Sequence, residues 1–190
     1  MMTGSASGRE HWLPGTIFTI GHSALPIDRF IAVLDVYGIE LLADVRTVPR
    51  SRHNPQFNAD TLAASLADAG VAYQGMPALG GLRHSRADSP NTGWRNKSFR
   101  GYADYMQTAP FHDAIDKLVM TGRTMRTAIM CAEAVPWRCH RSLIADALEV
   151  RGIAAVEILS EANWRMHHMT AFARVEGEEI TYPPEQAPLL

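Results

Sequence analysis

Residues 126–159 read RTAIMCAEAVPWRCHRSLIADALEVRGIAAVEIL. The apolar run Arg126–Cys131 fits a buried strand, and the polar loop Ala132–Arg138 follows it. A helix from about Cys139 to Arg151 comes next, ended by Gly152, and Ala154–Leu159 is a second strand. A strand, a crossover helix and another strand, both strands continuous rather than alternating in polarity, describe parallel neighbours buried on both faces.

The same rhythm extends upstream. Thr16–Ile20 reads as a first strand ending in Gly21-His22-Ser23. Pro26 opens a helix through Tyr37, with Ile27, Phe30, Ile31, Val33 and Leu34 as its apolar face and Gly38 as its stop. Glu40–Val45 is a second strand, followed by a Pro- and Arg-rich loop over 47–57. A helix from Asn58 or Asp60 runs to about Ala69, and Val71–Gln74 is a third strand. Met76–Arg100 reads as one long loop, too long for an idle connection. Two helices follow, Gly101–Gln107 and Phe111–Thr121, the second stopped by Gly122. The prediction is a three-layer α/β fold: a mostly parallel sheet of about five strands with helices on both faces. One domain over 16–160, a loose tail over 1–15 and an extension over 161–190 packed on the domain edge complete the expected organisation.

Composition is consistent with this. The chain has 190 residues, 46% hydrophobic and 20% charged, which excludes disordered, collagen-like and coiled-coil chains. No apolar run reaches the about 18 residues of a membrane span, and residues 1–12 hold no apolar core of a secretory signal. Two cysteines cannot make a disulfide framework, so a reducing cytoplasm is the expected compartment. Net charge is −2, but residues 46–100 carry eight Lys/Arg against three Asp/Glu, and 142–190 carry three against eight. An Arg-rich loop set suits a phosphate- or carboxylate-bearing ligand; the alternative is a solvated surface with scattered ion pairs.

In a parallel sheet, ligands gather beyond the carboxyl ends of the strands. That rule brings Gly21, His22 and Ser23, then Arg46, Arg50 and Ser51, then Cys131, Glu133, Cys139, His140 and Arg141 to one rim. Three chemistries compete for Cys131-Ala-Glu133 through Cys139-His140-Arg141. The first is an anion cradle of backbone N–H groups at a helix start, with Arg138 and Arg141 adding charge. It resembles the arrangement in cysteine phosphatases and rhodanese-like sulfur transferases. However, six residues separate Cys131 from Arg138, one more than phosphatases use, and Glu133 would repel phosphate. The second is a zinc or iron site of Cys131, Cys139 and His140, with His22 or His53 as a further ligand. Its spacing fits no common zinc module, and adjacent Cys139 and His140 are expected to point apart. The third makes Glu133 a nucleophile or general base, with Cys139 or His22 as the alternative catalytic group. Cys131 alone also fits a plain buried thiol.

Asp44 and Arg46 alternate on one strand, so they face the same way and can pair. Gly80-Gly81 fits a hinge or a phosphate contact. Tyr73, Trp94, Phe99 and Tyr102 interleave with Arg83, Arg86, Arg95, Lys97 and Arg100, which suits either stacking on nucleic-acid bases or a lid packing its aromatics inward. His167-His168 is expected to be no site.

Taken together, Thr19-Ile20-Gly21-His22-Ser23, Asp44-Val45-Arg46 with Pro49-Arg50-Ser51, Leu79-Gly80-Gly81, Phe99-Arg100-Gly101-Tyr102, and Cys131-Ala132-Glu133 through Cys139-His140-Arg141 resemble the bacterial domain of unknown function 488 family, from about residue 16 to 160. The resemblance implies a cytoplasmic α/β domain with a polar cluster at those motif positions. The functional expectation is an enzyme of hydrolysis or group transfer on an anionic, nucleotide or nucleic-acid-derived substrate. Glu133, Cys139 and His22 are its catalytic candidates. Ser23, Arg46, Arg50, Ser51, Gly80, Gly81, Tyr102, Cys131, His140 and Arg141 are its substrate-binding candidates. No cofactor is predicted, with zinc or iron as the alternative. A non-catalytic nucleic-acid-binding module and a metal or thiol sensor are the alternative functions. No membrane partner is expected, and the sequence does not distinguish a monomer from a dimer.

Overall fold

The computed structural model describes residues 12–184 and the backbone of Thr3–Gly4. Five strands run parallel: β2 (Ile17–Gly21), β3 (Leu41–Asp44), β4 (Ala72–Gly75), β5 (Thr127–Cys131) and β6 (Ala155–Ile158). Two more strands extend the sheet antiparallel at one edge: β7 (Trp164–Met166) on β6, and β1 (Thr3–Gly4) on β7. The order across the sheet is β1-β7-β6-β2-β5-β3-β4. A separate hairpin, β8 (Arg174–Glu176) and β9 (Glu179–Thr181), lies in the C-terminal segment.

Alternating strand residues feed two cores. Phe18, Ile20, Leu42, Met130 and Val156 point to one face and pack under α1 (Ile27–Val36) and α2 (Ala59–Asp68). Ile17, Ala43, Val45 and Ile129 point to the other, under α3 (Lys97–Tyr105), α4 (Ala109–Thr124) and α5 (Arg141–Val150). The fold is therefore a three-layer, mostly parallel α/β sandwich. Right-handed crossovers explain the division. The chain steps one way across the sheet from β2 through β3 to β4, and the other way from β4 through β5 to β6. Strand β5 thus leaves toward the face opposite to that taken by its neighbours β2 and β3. Crevices open at such reversals, and here they flank the end of β5, where Cys131 sits.

Several boundaries differ from the sequence prediction. Helix α3 begins at Lys97, four residues before the predicted start, because the Asn96 side chain accepts a hydrogen bond from the Ser98 N–H and caps it. Gly122 does not end α4, which continues to Thr124. It lies inside the helix because Ile17 packs there: a methyl group on Gly122 would stand 2.3 Å from Ile17 Cδ1. The expected tail over 1–15 falls largely outside the described residues, though Trp12 packs edge-on against Trp164, 4.7 Å between ring centres. Within 161–190, β7 joins the sheet and Tyr182 is wholly buried, donating to Asp146 Oδ2 at 2.8 Å. Among the described residues, no helix is long and apolar enough to cross a membrane.

Candidate active site

Cys131 closes β5, and Cys139 is the last extended residue before α5. Their sulfurs stand 2.6 Å apart, and both residues are 3% exposed. His140 turns into helical backbone, with φ −56° and ψ −15°. This break between two adjacent residues swings the imidazole alongside the sulfur, leaving Nδ1 3.5 Å from Cys139 Sγ. The sequence expectation that Cys139 and His140 diverge is corrected by that turn. The carbonyl of Val45 can only accept, so Nε2, 3.1 Å away, carries the donated proton. Nδ1 is left facing the thiol. Gly81 makes room for the ring, since a methyl group there would meet His140 Nδ1 at 2.5 Å.

Arg141 opens α5 and turns inward, wholly buried. Its Nε donates to Cys131 Sγ at 3.0 Å, Nη1 to Thr19 Oγ1 at 3.3 Å and Nη2 to the Glu133 carbonyl at 2.6 Å. Among the described residues no carboxylate pairs with this guanidinium, so the sulfurs are its anionic neighbours. A buried cation requires a counter-charge, and the thiols supply it. The hydrogen bond from Cys131, with help from His140 and Arg141, pulls the Cys139 thiol well below the usual range against the opposing effect of burial. The hydrogen bond to Cys139 and burial push Cys131 up. The pair holds one proton between two sulfurs and titrates as a unit.

Both cysteines line a cavity of about 410 Å³ together with Arg46, Thr47, Gly81, Leu82, Asn96, Phe99, Glu133, Arg138 and His140. The first turn of α3 and His140, the N-cap of α5, contribute to its wall, and helix N-termini favour negative charge. Arg138 is exposed at the rim. Cys131 Sγ, Cys139 Sγ and His140 Nδ1 lie within 4.8 Å of one another, so these three could ligate a metal. Two thiolates on one tetrahedral zinc stand about 3.8 Å apart, so the sulfurs would have to separate by more than 1 Å.

The remaining sequence candidates divide. Glu133 is exposed and lines the cavity, while its backbone is pinned by Arg141 and by its approach to Gly21, where a methyl group would stand 1.8 Å from the Glu133 oxygen. Arg46 touches the cavity, but its guanidinium is spent. Nε reaches Asp44 Oδ1 at 2.8 Å, and Nη2 reaches Asp44 Oδ2 at 2.5 Å and the Phe57 carbonyl at 2.7 Å. His22 is buried and stacked on Phe57 at 4.0 Å. Arginine only donates, so His22 Nε2 accepts from Arg46 Nη1 at 3.3 Å, and Nδ1 donates to the Ser23 carbonyl at 2.8 Å. With both nitrogens engaged, His22 is a structural neutral imidazole, its pKa lowered to about 4 by burial, with Arg46 adding to the effect. His22, a catalytic candidate from the sequence, does not line the thiol cavity. Arg46 and Arg141, expected from the sequence to bind an anion, are both held by intramolecular acceptors.

Other candidates sit apart from the cavity. Ser23, at φ 47°, borders a separate cavity of about 530 Å³ with Arg29 and Ser160. Ser51 fixes its own loop, its N–H on Asn58 Oδ1 at 2.7 Å and its Oγ accepting from the Asn54 N–H at 3.0 Å. Arg50 is exposed and does not line the cavity. Gly80 is pressed against Thr47, where a methyl group would lie 2.2 Å from Oγ1. Tyr102 is buried with its hydroxyl on the Leu79 carbonyl at 2.9 Å. Tyr102, a substrate-binding candidate from the sequence, does not line the thiol cavity.

The long 76–100 segment packs inward. Trp94 meets Phe99, Phe172 and Tyr182, and Arg83 lies 3.5 Å over the Tyr105 ring while donating to the Ala78 carbonyl. His167, for which no site is expected from the sequence, has a structural role. It bridges Glu157 Oε1 at 3.0 Å and Asp146 Oδ1 at 2.8 Å. Burial opposes its charge, but the two carboxylates outweigh it and hold its pKa up to about 9.

Comparison with curated proteins and with solved structures found no match. A family model, the domain of unknown function DUF488, matches residues 26–148. That span runs from α1 into the last turn of α5 and contains every residue of the thiol cavity, while Gly21-His22-Ser23 falls outside it. Across that span, well over half of its length, the chain belongs to the DUF488 family.

Proposed function

We propose that the chain is a cysteine-dependent group-transfer enzyme acting on an anionic substrate, with Cys139 as its nucleophile. The observation that carries this is the thiol pair at the cavity floor, 2.6 Å between sulfurs, braced by a wholly buried Arg141. A nucleophile, an adjacent base and a group orienting that base define an activated thiol. Here these are Cys139, His140 Nδ1 and the Val45 carbonyl. Arg138 and the two helix N-termini favour a carboxylate- or phosphate-bearing substrate, and Glu133 at the rim is the remaining acid/base candidate. A reducing compartment such as the cytoplasm keeps both thiols free, as this role needs.

Two alkylating probes of nearly equal size test the reading: neutral iodoacetamide and anionic iodoacetate. At pH 6, Cys139 in the native protein reacts at least about tenfold faster than an unfolded-chain thiol. Its preference for iodoacetate, relative to free cysteine, is lost in Arg138→Ala. Native thiols no faster than unfolded ones would sink the proposal. Glu133→Gln is expected to leave the rate with neutral iodoacetamide within about twofold and to raise the rate with iodoacetate, because a negative charge is lost from the same cavity wall.

A further inference from the structure

The geometry points to a second property of the same cavity: Cys131 and Cys139 form a dithiol that closes to a disulfide by exchange with a small, carboxylate-bearing disulfide. This rests on the reading of Cys139 as nucleophile and names the substrate class for it. Three observations carry the inference. First, the sulfurs lie 2.6 Å apart, well inside van der Waals contact and nearer to the about 2.05 Å of a bond. Second, both sulfurs belong to residues that line the same cavity, so an incoming disulfide meets the attacking and the resolving thiol in one place. Third, the cavity wall combines Arg138 with the first turn of α3 and the N-cap of α5, which suits the carboxylates of a small peptide disulfide.

The reaction balances without any other reagent. The Cys139 thiolate attacks one sulfur of R–S–S–R, forming Cys139–S–S–R and expelling one R–S⁻. The Cys131 proton passes to a leaving thiolate, with His140 Nδ1 placed to relay it. The Cys131 sulfur then attacks Cys139 Sγ and expels the second R–S⁻. Starting from the singly protonated pair, the protein loses two electrons and one proton, and the small disulfide leaves as one thiol and one thiolate, the latter taking any further proton from water. Run backwards, the same steps reduce the protein and form the small disulfide.

The test uses the reduced full-length chain, glutathione disulfide as probe and intact-mass spectrometry. The wild type is expected to lose two hydrogens and retain no glutathione. Cys131→Ser is expected to stop at a stable adduct of one glutathione, and Cys139→Ser to give neither product. Cys131→Ala serves if the serine variant does not fold. A wild type that stops at the adduct, or carries two independent adducts, overturns the dithiol while leaving fast alkylation of Cys139 intact. Thiols inert to both glutathione disulfide and iodoacetate overturn this inference together with the proposed function. A stoichiometric metal that must be stripped before either thiol reacts also overturns it, in favour of ligation by Cys131, Cys139 and His140.

Discussion

A methyl group on Gly81 would press into the ring of His140, and one on Gly21 would meet the Glu133 carbonyl. The two glycines therefore do different work. At Gly81 the obstacle is a side chain, so Gly81→Ala is expected to keep the fold and displace the imidazole. Iodoacetate labelling should then slow by about tenfold, with little change in urea denaturation. At Gly21 the obstacle is backbone on the β5–α5 loop. Gly21→Ala should lower stability by about 1–3 kcal/mol, as overpacking does, read from the same denaturation curves. The glycines were legible in the sequence as points of close approach or anion contact. What approaches them was not, because the approaching atoms come from residues 59 and 112 positions further along.

The site's individual residues show the same limit. The Cys-His-Arg run was visible as chemistry. The inward turn of Arg141 and the convergence of Cys139 with His140 were not, because both depend on one dihedral break at the start of α5. His22 looked like a general base from its place after a strand. Its neutral, doubly bonded state follows from the Ser23 carbonyl and from Arg46, and its burial from stacking on Phe57; the last two come from other segments.

At the level of elements, the five parallel strands were readable because each is a short apolar run between turn signals. The three-residue strands β7, β8 and β9 were not, since nothing that short carries a period. The C-terminal segment is nonetheless tied deep into the fold. His167, on the stretch after β7, joins Glu157 of β6 to Asp146 of α5, and Asp146 also takes Thr170 Oγ1 and the Tyr182 hydroxyl. Removing the imidazole leaves the buried Asp146 without its cationic partner, while Glu157 keeps Arg165. His167→Leu should therefore cost about 3–5 kcal/mol in urea denaturation near pH 6.5. Since His167 is held protonated up to about 9, its contribution is complete below the ordinary imidazole range and fades as pH rises through about 9. The deficit of the variant should shrink over the same interval.

For the whole molecule, three titrating groups pull in different directions. His22, lowered to about 4, contributes stability above its unfolded value near 6.5 and loses it as pH falls toward 4. His22→Phe, which keeps a ring against Phe57, should flatten that acid arm in a series of thermal melts. The Cys139 thiol, pulled down by its neighbours, adds stability that grows as pH rises toward the ordinary thiol range, opposite in sign to His167. Between pH 6.5 and 9 the two offset each other. Cys139→Ser removes one of them, so its melting temperature should fall more steeply with pH there than that of the wild type.

Arg141 sits in the core with sulfur as its anionic neighbour, so the charge on which the proposed chemistry rests also bears on the architecture. Two adducts of almost the same bulk separate those roles. Carbamidomethylation erases the negative charge at the thiol pair, whereas carboxymethylation restores one at the end of a short tether. The carboxymethyl protein should melt at the higher temperature, and the gap measures what one electron-rich atom contributes to holding the sandwich closed. A thiol pair stripped of its charge should let the chain unfold more readily, and limited proteolysis should then cut the carbamidomethyl protein faster than the carboxymethyl one.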